Sequence, residues 1–384
     1  YGGNVSRSSL ALAALATVAV PGLKPTAATG AESSNDFDLA RIVDEGGRAW
    51  MVKAPRSVIT GAAMEGEVAL LENLALAIDD GDLPFEVPRP AGFAPLPEGG
   101  RAMVFPEIAG RALSVQQLAG MATSVAEAIA ALHSLPIGVL AETGLPTYSA
   151  QEYRERRLSE VDEAAATGHV PGSLLQRWED ACEDVRLWRF IPTLVHGDLL
   201  PEHILTAGTG VVGVIEWAAA QVGDPADDLA PLLAAAPEEA MDTLLEAYGA
   251  ARGVEVEHLL ARAVLASELA FLRWLMHGVR SDDADVITDA VHMLEELAAA
   301  TEDADPIASI GVAPEEPAPA LGVGTSTPPA GAEDSARSFA APGSGAIPLG
   351  EPDPEEEPRV WLRSEEHGVD DDKPTVELPL EDDD

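Results

Sequence analysis

Cysteine is nearly missing: Cys182 is the only one in 384 residues. No intrachain disulfide and no cysteine-based metal site can be built from it, which fits a reducing cytoplasm. Lysine is almost as scarce, with Lys24, Lys53 and Lys373 alone, and 23 Lys and Arg face 66 Asp and Glu for a formal net charge of −43. A surface of that sign repels nucleic acid, and no basic stripe reverses it locally, so no nucleic-acid partner is expected. Aromatics make up only 4% of the chain, so Ala, Leu and Val must fill most of the core. No run of about 18 apolar residues is present, and no membrane span is expected. The apolar stretch after Arg7, Leu10 to Val20, has the length of a secretory-signal core. It equally suits a short helix with Leu12, Leu15 and Ala19 on one face, stopped before Pro21.

What is present falls into a clear order. Two strand-like runs, 37–43 and 49–53, flank Gly46-Gly47 and predict a hairpin. On the second strand Trp50 and Val52 face one way, while Ala49, Met51 and Lys53 face the other. Met64, Val68, Leu71, Leu74 and Ile78 follow at helical spacing, with Glu67 beside that stripe. An extended proline-rich segment at 84–97 and a strand at 102–105 complete a small β-rich lobe, and 106–112 is the connector. Beyond it the chain is mainly helical, with helices expected over about 118–133, 149–167, 173–187, 256–277 and 284–300 and short strands at 193–195, 204–206 and 211–215. The expected class is α+β, two lobes with a cleft between them, within residues 8–304. From 305 to 384 periodicity fades. Residues 301–384 hold 22 acidic residues against four basic ones, the signature of a self-repelling tail that folds into no domain.

Chemistry concentrates in two short blocks. In Leu194-Val-His-Gly-Asp-Leu-Leu-Pro-Glu-His-Ile-Leu205 a strand ends, Gly197 permits a tight turn, and Asp198 stands at its mouth with His203 five residues on. In Val211-Val-Gly-Val-Ile-Glu-Trp217 a second strand delivers Glu216. One carboxylate able to take a proton from an alcohol, beside other groups able to hold a divalent cation on phosphates, suits phosphoryl transfer. Lys53, steadied by Glu67, suits the phosphates themselves.

At these residues the chain resembles the aminoglycoside/macrolide phosphotransferases, a protein-kinase-like family. The matching pieces are His196-Gly-Asp-Leu199, His203, Val214-Ile-Glu-Trp217 and Gly223-Asp-Pro-Ala-Asp-Asp-Leu-Ala230. His at 203, Lys53-Ala-Pro-Arg56, Glu67-Val-Ala-Leu-Leu71 and Ala131-Leu-His-Ser-Leu-Pro136 lean toward the macrolide 2'-phosphotransferase branch. The resemblance implies a two-lobed kinase-like fold, with a small β-rich N-terminal lobe and a larger helical C-terminal lobe. It also implies transfer of a terminal phosphoryl group from ATP or GTP, with Mg²⁺, to the hydroxyl of a small molecule such as a macrolide or other antibiotic. Asp198 would be the catalytic base, His203 and Glu216 metal ligands, and Lys53 with Glu67 the phosphate-binding pair. Asp224 and Asp228 would support the loop. Where the family carries Asp, position 216 carries Glu, and no glycine-rich loop precedes the first strand of the hairpin. A catalytically impaired nucleotide-binding or interaction protein with the same fold is the alternative. Trp178, Trp188, Phe190 and Trp274 could line an acceptor pocket or fill helix contacts, and the acidic balance would tolerate a cationic amino sugar.

Overall fold

A computed structural model describes residues 7–30, 36–97, 99–253, 258–311 and 376–377. Most of the acidic tail and the segment 31–35 lie outside the described residues. Helix α1 (Ser9–Ala19) is capped by the Ser8 hydroxyl and buries Leu12, Ala13, Ala16 and Ala19. Leu15, expected on that face, is only partly buried at its edge. Small side chains let α1 lie close on the outer face of a sheet formed by β1 (Pro25–Gly30), β2 (Phe37–Asp44), β3 (Ala49–Pro55), β4 (Gly92–Pro95) and β5 (Arg101–Pro106). The order is β1-β2-β3-β5-β4, antiparallel throughout. Gly92 is required by this approach, since a Cβ there would sit 2.0 Å from the Ala19 carbonyl oxygen. Arg7 holds the start of α1 to buried Asp38, 2.8 Å away.

The expected hairpin is β2–β3, with Ile42 opposite Trp50 and Leu39 opposite Lys53. Asp44 fixes its turn by accepting from the Trp50 indole and the Arg48 amide, both at 2.9 Å. Period-two alternation sends Trp50, Val52 and Ala54 toward α1. Lys53 points to the opposite face, where α2 (Val58–Asp80) packs its buried stripe Met64, Val68, Leu71 and Leu74. Ser57 caps α2, and Gly81 ends it in the left-handed conformation.

The connector leads through β6 (Arg111–Ala112) to α3 (Val115–Ser134) and the helical lobe. There α4 (Ala150–Ala165) and α5 (Gly172–Glu183) precede the short strand β7 (Thr193–Val195). The hairpin β8 (Ile204–Ala207) and β9 (Gly210–Val214) follows, then β10 (Gln221–Gly223), which pairs antiparallel with β7. Helices α6 (Ala226–Ala235), α7 (Glu238–Arg252), α8 (Leu259–Ser281) and α9 (Ala284–Ala300) complete the lobe. The two lobes meet through Glu86, whose amide donates to Val212 and whose carbonyl accepts from Val214, both at 2.9 Å. This gives the two-lobed α+β architecture expected from the sequence. Among the described residues, no helix is long and apolar enough to cross a membrane.

Two features lie beyond what the pattern predicts. A helical turn at Ile307–Ser309 packs on the α4/α5/α8 core, with Ile307 buried and the Asp305 carbonyl accepting from Arg177 at 2.7 Å. From the acidic tail, β11 (Val376–Glu377) pairs with the outer edge of β1. Ending the chain after Gly311 removes only the two-residue β11 from the described fold and is expected to shift the unfolding temperature little. Ending it after Ala304 removes Ile307 and is expected to cost about 2–4 kcal/mol. Calorimetric melting of both truncations checks this; equal melting temperatures would deny Ile307 its place in the core.

Candidate active site

Lys53 organises the cleft. Its ammonium is almost fully buried and reaches Glu67 Oε1 and Oε2 at 3.0 and 3.1 Å and Glu216 Oε2 at 3.2 Å. The Phe37 ring lies 4.4 Å from Nζ. Burial, the largest influence, pulls the Lys53 pKa down, but attraction to Glu67 and Glu216 outweighs it and holds the ammonium above its ordinary value. Glu67 shares that cation with a second carboxylate, and burial pushes its own pKa up against the pull of Lys53.

Glu216 does not end a strand as expected. β9 stops at Val214, and Glu216 stands two residues on in the left-handed region, at φ 66° and ψ 56°. A non-glycine residue there stores strain, which the surroundings must over-determine. They do so on both sides: Trp217 is buried with its indole donating to Val214 at 2.9 Å, and the Ile215 carbonyl accepts from His196 Nε2 at 2.8 Å.

The loop after β7 carries Asp198, with its side chain about half exposed. Gly197 turns the loop at φ 82°, where a Cβ would lie 2.3 Å from the Ala219 carbonyl oxygen. His196 Nε2 donates to Ile215, so Nδ1 is left to accept from the Asp198 amide at 3.3 Å. Burial lowers the His196 pKa and keeps the ring neutral for that role. His203 Nδ1 donates to the Asp198 carbonyl at 2.7 Å, which leaves the Nε2 lone pair for a metal ion. Asp228, at the start of α6, accepts from the amides of His196 and Gly197 at 2.7 and 2.8 Å and from His133 at 3.0 Å. Burial, the largest influence, works against its charge, but the hydrogen bonds from His133 and from the loop amides prevail and lower its pKa. Asp224 pairs with Arg262 at 2.7 Å and caps Ala226.

The five residues singled out in the sequence thus lie on two connected assemblies. Lys53, Glu67 and Glu216 are in direct contact, while Asp198 and His203 share the neighbouring loop, joined to Glu216 through His196 and Ile215. Among the described residues, no three His, Cys, Asp or Glu groups converge on one point. Glu216 and His203 alone therefore do not complete a Mg²⁺ shell, and phosphate and water oxygens would have to supply the rest of any such site.

Asp198 also borders a cavity of about 540 Å³ between α4, α6 and α8. None of the four candidate aromatics lines it. Trp178 and Trp188 are core side chains whose indoles donate to Glu268 and the Ala181 carbonyl, Phe190 packs on Tyr153, and Trp274 stacks on His277. Tyr153 of α4 and Phe271 of α8 take that place. Their positions on amphipathic helices are ordinary core spacings, so no sequence signal marks them.

A sequence model described as the phosphotransferase enzyme family matches residues 28–267. A solved macrolide 2'-phosphotransferase type I is 26% identical, with a TM-score of 0.64 over 76% of this chain and 98% of that one. The apoenzyme of macrolide 2'-phosphotransferase MphH from Brachybacterium faecium is 23% identical, with a TM-score of 0.61 over 70% of this chain and 92% of that one. An uncharacterized protein of Bacillus subtilis (strain 168), YcbJ, is 26% identical over 228 residues, 58% of this chain and 74% of its own length.

Replacing Lys53 by Met strands Glu67 in the interior without its cation, so its folded pKa should rise further above its unfolded value. A raised carboxyl contributes stability that is present below the unfolded pKa and is lost as pH climbs through the folded one. The stability deficit of Lys53→Met is therefore expected to grow as pH rises above the ordinary carboxyl range toward neutrality and beyond, and adding Glu67→Gln should flatten that growth. Urea unfolding across this range measures it. A deficit independent of pH would mean that Glu67 does not depend on Lys53 for its charge.

Proposed function

The chain belongs to the phosphotransferase enzyme family, and from that premise we propose that it transfers the terminal phosphoryl group of ATP or GTP to a hydroxyl of a small molecule bound against Asp198. The observation that carries this reading is the half-exposed Asp198 at the edge of a large cavity, on a loop tied to the carboxylate that reaches Lys53. Structural relatives bear names of macrolide and aminoglycoside enzymes, and one is a complex with GDP and kanamycin.

In this mechanism Asp198 accepts the acceptor hydroxyl's proton as its oxygen bonds to the terminal phosphorus, and the bridging oxygen of the nucleoside diphosphate departs with the electron pair of the broken bond. The base needs a side chain that is hydrogen-bonded lightly and open to substrate, and Asp198 is both. Its backbone is held rigidly: the Asp198 amide is fixed by His196, its carbonyl by His203, and the turn before it by Asp228. Such pre-organisation leaves little reorganisation for the chemical step. Lys53 offers its charge to the phosphates of the donor, and Glu67 keeps the ammonium aimed and ionised. Mg²⁺, held by Glu216 and His203, would neutralise developing charge on the phosphate oxygens.

A second reading, a nucleotide-binding protein with impaired turnover, draws on one observation: the Glu216 carboxylate, longer than the family's Asp, already bonds Lys53. The two readings part at Asp198. Asp198→Asn is expected to lower turnover by about 10²–10⁴-fold with nucleotide affinity nearly unchanged. Glu216→Gln should instead raise the Mg²⁺ concentration for half-maximal rate, by about tenfold or more. Steady-state transfer rates over a Mg²⁺ series, with an acceptor found by panel screening, measure both. Undiminished turnover in Asp198→Asn would refute the mechanism.

A further inference from the structure

In a chain with 23 basic residues against 66 acidic ones, three arginines crowd one end of the cavity that Asp198 borders. Arg156 and Arg157 come from α4 and Arg273 from α8. All three address one carboxylate, Glu160: Arg157 Nη1 at 2.8 Å, Arg156 Nε at 3.4 Å and Arg273 Nη1 at 3.7 Å. Arg157 is buried and already satisfied, since its Nη2 reaches Asp227 at 2.8 and 2.9 Å and Tyr153 Oη at 3.1 Å. Arg156 and Arg273 are different. Their side chains are almost half exposed: Arg156 meets Glu160 Oε1 and donates to the Tyr148 hydroxyl at 2.6 Å, while Arg273 shares Oε2 with Arg157 only at 3.7 Å and donates to the Ala266 carbonyl at 3.1 Å.

The charged residues lining the cavity number six, and Asp198 is the only acid not drawn into this cluster. At the arginine end three guanidiniums meet Glu160 and Asp227, a surplus of one positive charge. Glu160 remains ionised, because its guanidinium neighbours, led by Arg157, outweigh burial and lower its pKa. Burial, and after it repulsion from Arg157, lower the Arg273 pKa against the pull of Asp227 and Glu160. A polycation entering here would lose water and meet like charge. A single carboxylate or phosphate would complete the array with charge-assisted, bidentate hydrogen bonds.

We propose that the acceptor is a hydroxylated molecule bearing one anionic group, which Arg156 and Arg273 bind while its hydroxyl is presented to Asp198. This rests on the phosphotransfer reading and narrows it. The size of the cavity resembles what an antibiotic-sized acceptor needs, but the charge of its far wall selects against amino sugars rich in ammonium groups. The tolerance for a cationic amino sugar expected from the chain's overall acidity does not extend to this wall. Arg156 and Arg273 are then specificity residues, distant from the transferred phosphoryl group.

Four probes on one six-carbon scaffold test it: gluconate, glucose 6-phosphate, glucose and glucosamine. Each is titrated calorimetrically into the full chain, into Arg156→Gln/Arg273→Gln and into Lys53→Met. At least one anionic probe is expected to bind the full chain about tenfold or more tightly than glucose, with glucosamine weakest. The double arginine variant should erase that advantage and Lys53→Met should keep it, which separates this site from the phosphate-binding lysine. Gluconate against glucose 6-phosphate distinguishes a carboxylate-bearing acceptor from a phosphorylated one. Equal binding of all four probes, tighter binding of glucosamine, or an anion preference that survives in the arginine variant would each overturn the proposal. Loss of the charge ranking in a chain that still transfers phosphate counts against the arginine wall alone. An intact ranking in a chain that transfers nothing counts against phosphotransfer alone.

Discussion

One buried ammonium, Lys53, is shared by carboxylates from two directions, and the relation between the lobes is built around it. β3 supplies the lysine, α2 supplies Glu67, and the turn after β9 in the helical lobe supplies Glu216. A buried charge is costly unless paired, and breaking such a pair typically costs about 3–5 kcal/mol. The fold therefore cannot rotate α2 away or retract the Glu216 turn without leaving a charge stranded. Glu67 is locked deep among apolar side chains, whereas Glu216 is more than a third exposed. Under the proposed reading, that asymmetry makes Glu216 the partner exchanged for phosphate, with Glu67 remaining behind to hold the lysine.

The second constraint acts through Asp228. Its two oxygens collect the first two amides of the catalytic loop and the imidazole of His133, while His133 Nδ1 meets the Tyr248 hydroxyl of α7 at 2.9 Å. The start of α6, the end of α3 and the loop that bears Asp198 are fixed by one carboxylate. His196 continues the chain of contacts to Ile215, next to Glu216. Asp198 and Lys53 are thus linked through a chain of buried and half-buried hydrogen bonds, which is how a loop residue acquires the precision usually reserved for helices and strands.

Much of this was legible in the sequence because period and turn chemistry carried it. Gly46-Gly47 between two strand patterns marked the hairpin, alternation put Lys53 opposite Trp50, and the stripe Met64 to Leu74 placed Glu67 against the sheet. Spacing marked Asp198, His203 and Glu216 as candidates, and the resemblance to the phosphotransferases supplied the roles expected of them. What stayed hidden depends on tertiary contact. β10 is three residues long and becomes a strand only by pairing with β7. The left-handed turn at Glu216 defies local preference and exists because Trp217 and His196 anchor both sides. The arginine wall joins residues on helices 117 positions apart, as the Arg156 and Arg273 numbering shows, and the net acidity of the chain pointed the other way. Ile307 looked like part of the tail because a single buried side chain in an acidic, proline-containing stretch has no periodicity to announce it.

The central claim is that Lys53 exchanges Glu216 for the phosphates of a nucleotide, and the rarity of lysine makes this directly observable. With only Lys24, Lys53 and Lys373 in the chain, isotopic labelling of the side-chain amines reduces the NMR spectrum to three ammonium signals. Lys53 is identified among them by its loss in Lys53→Arg. On saturation with Mg²⁺ and a non-hydrolysable ATP or GTP analogue, the Lys53 signal is expected to move while that of Lys24, exposed at the sheet's far end, stays in place. A Lys53 signal unchanged under saturating nucleotide would contradict the account.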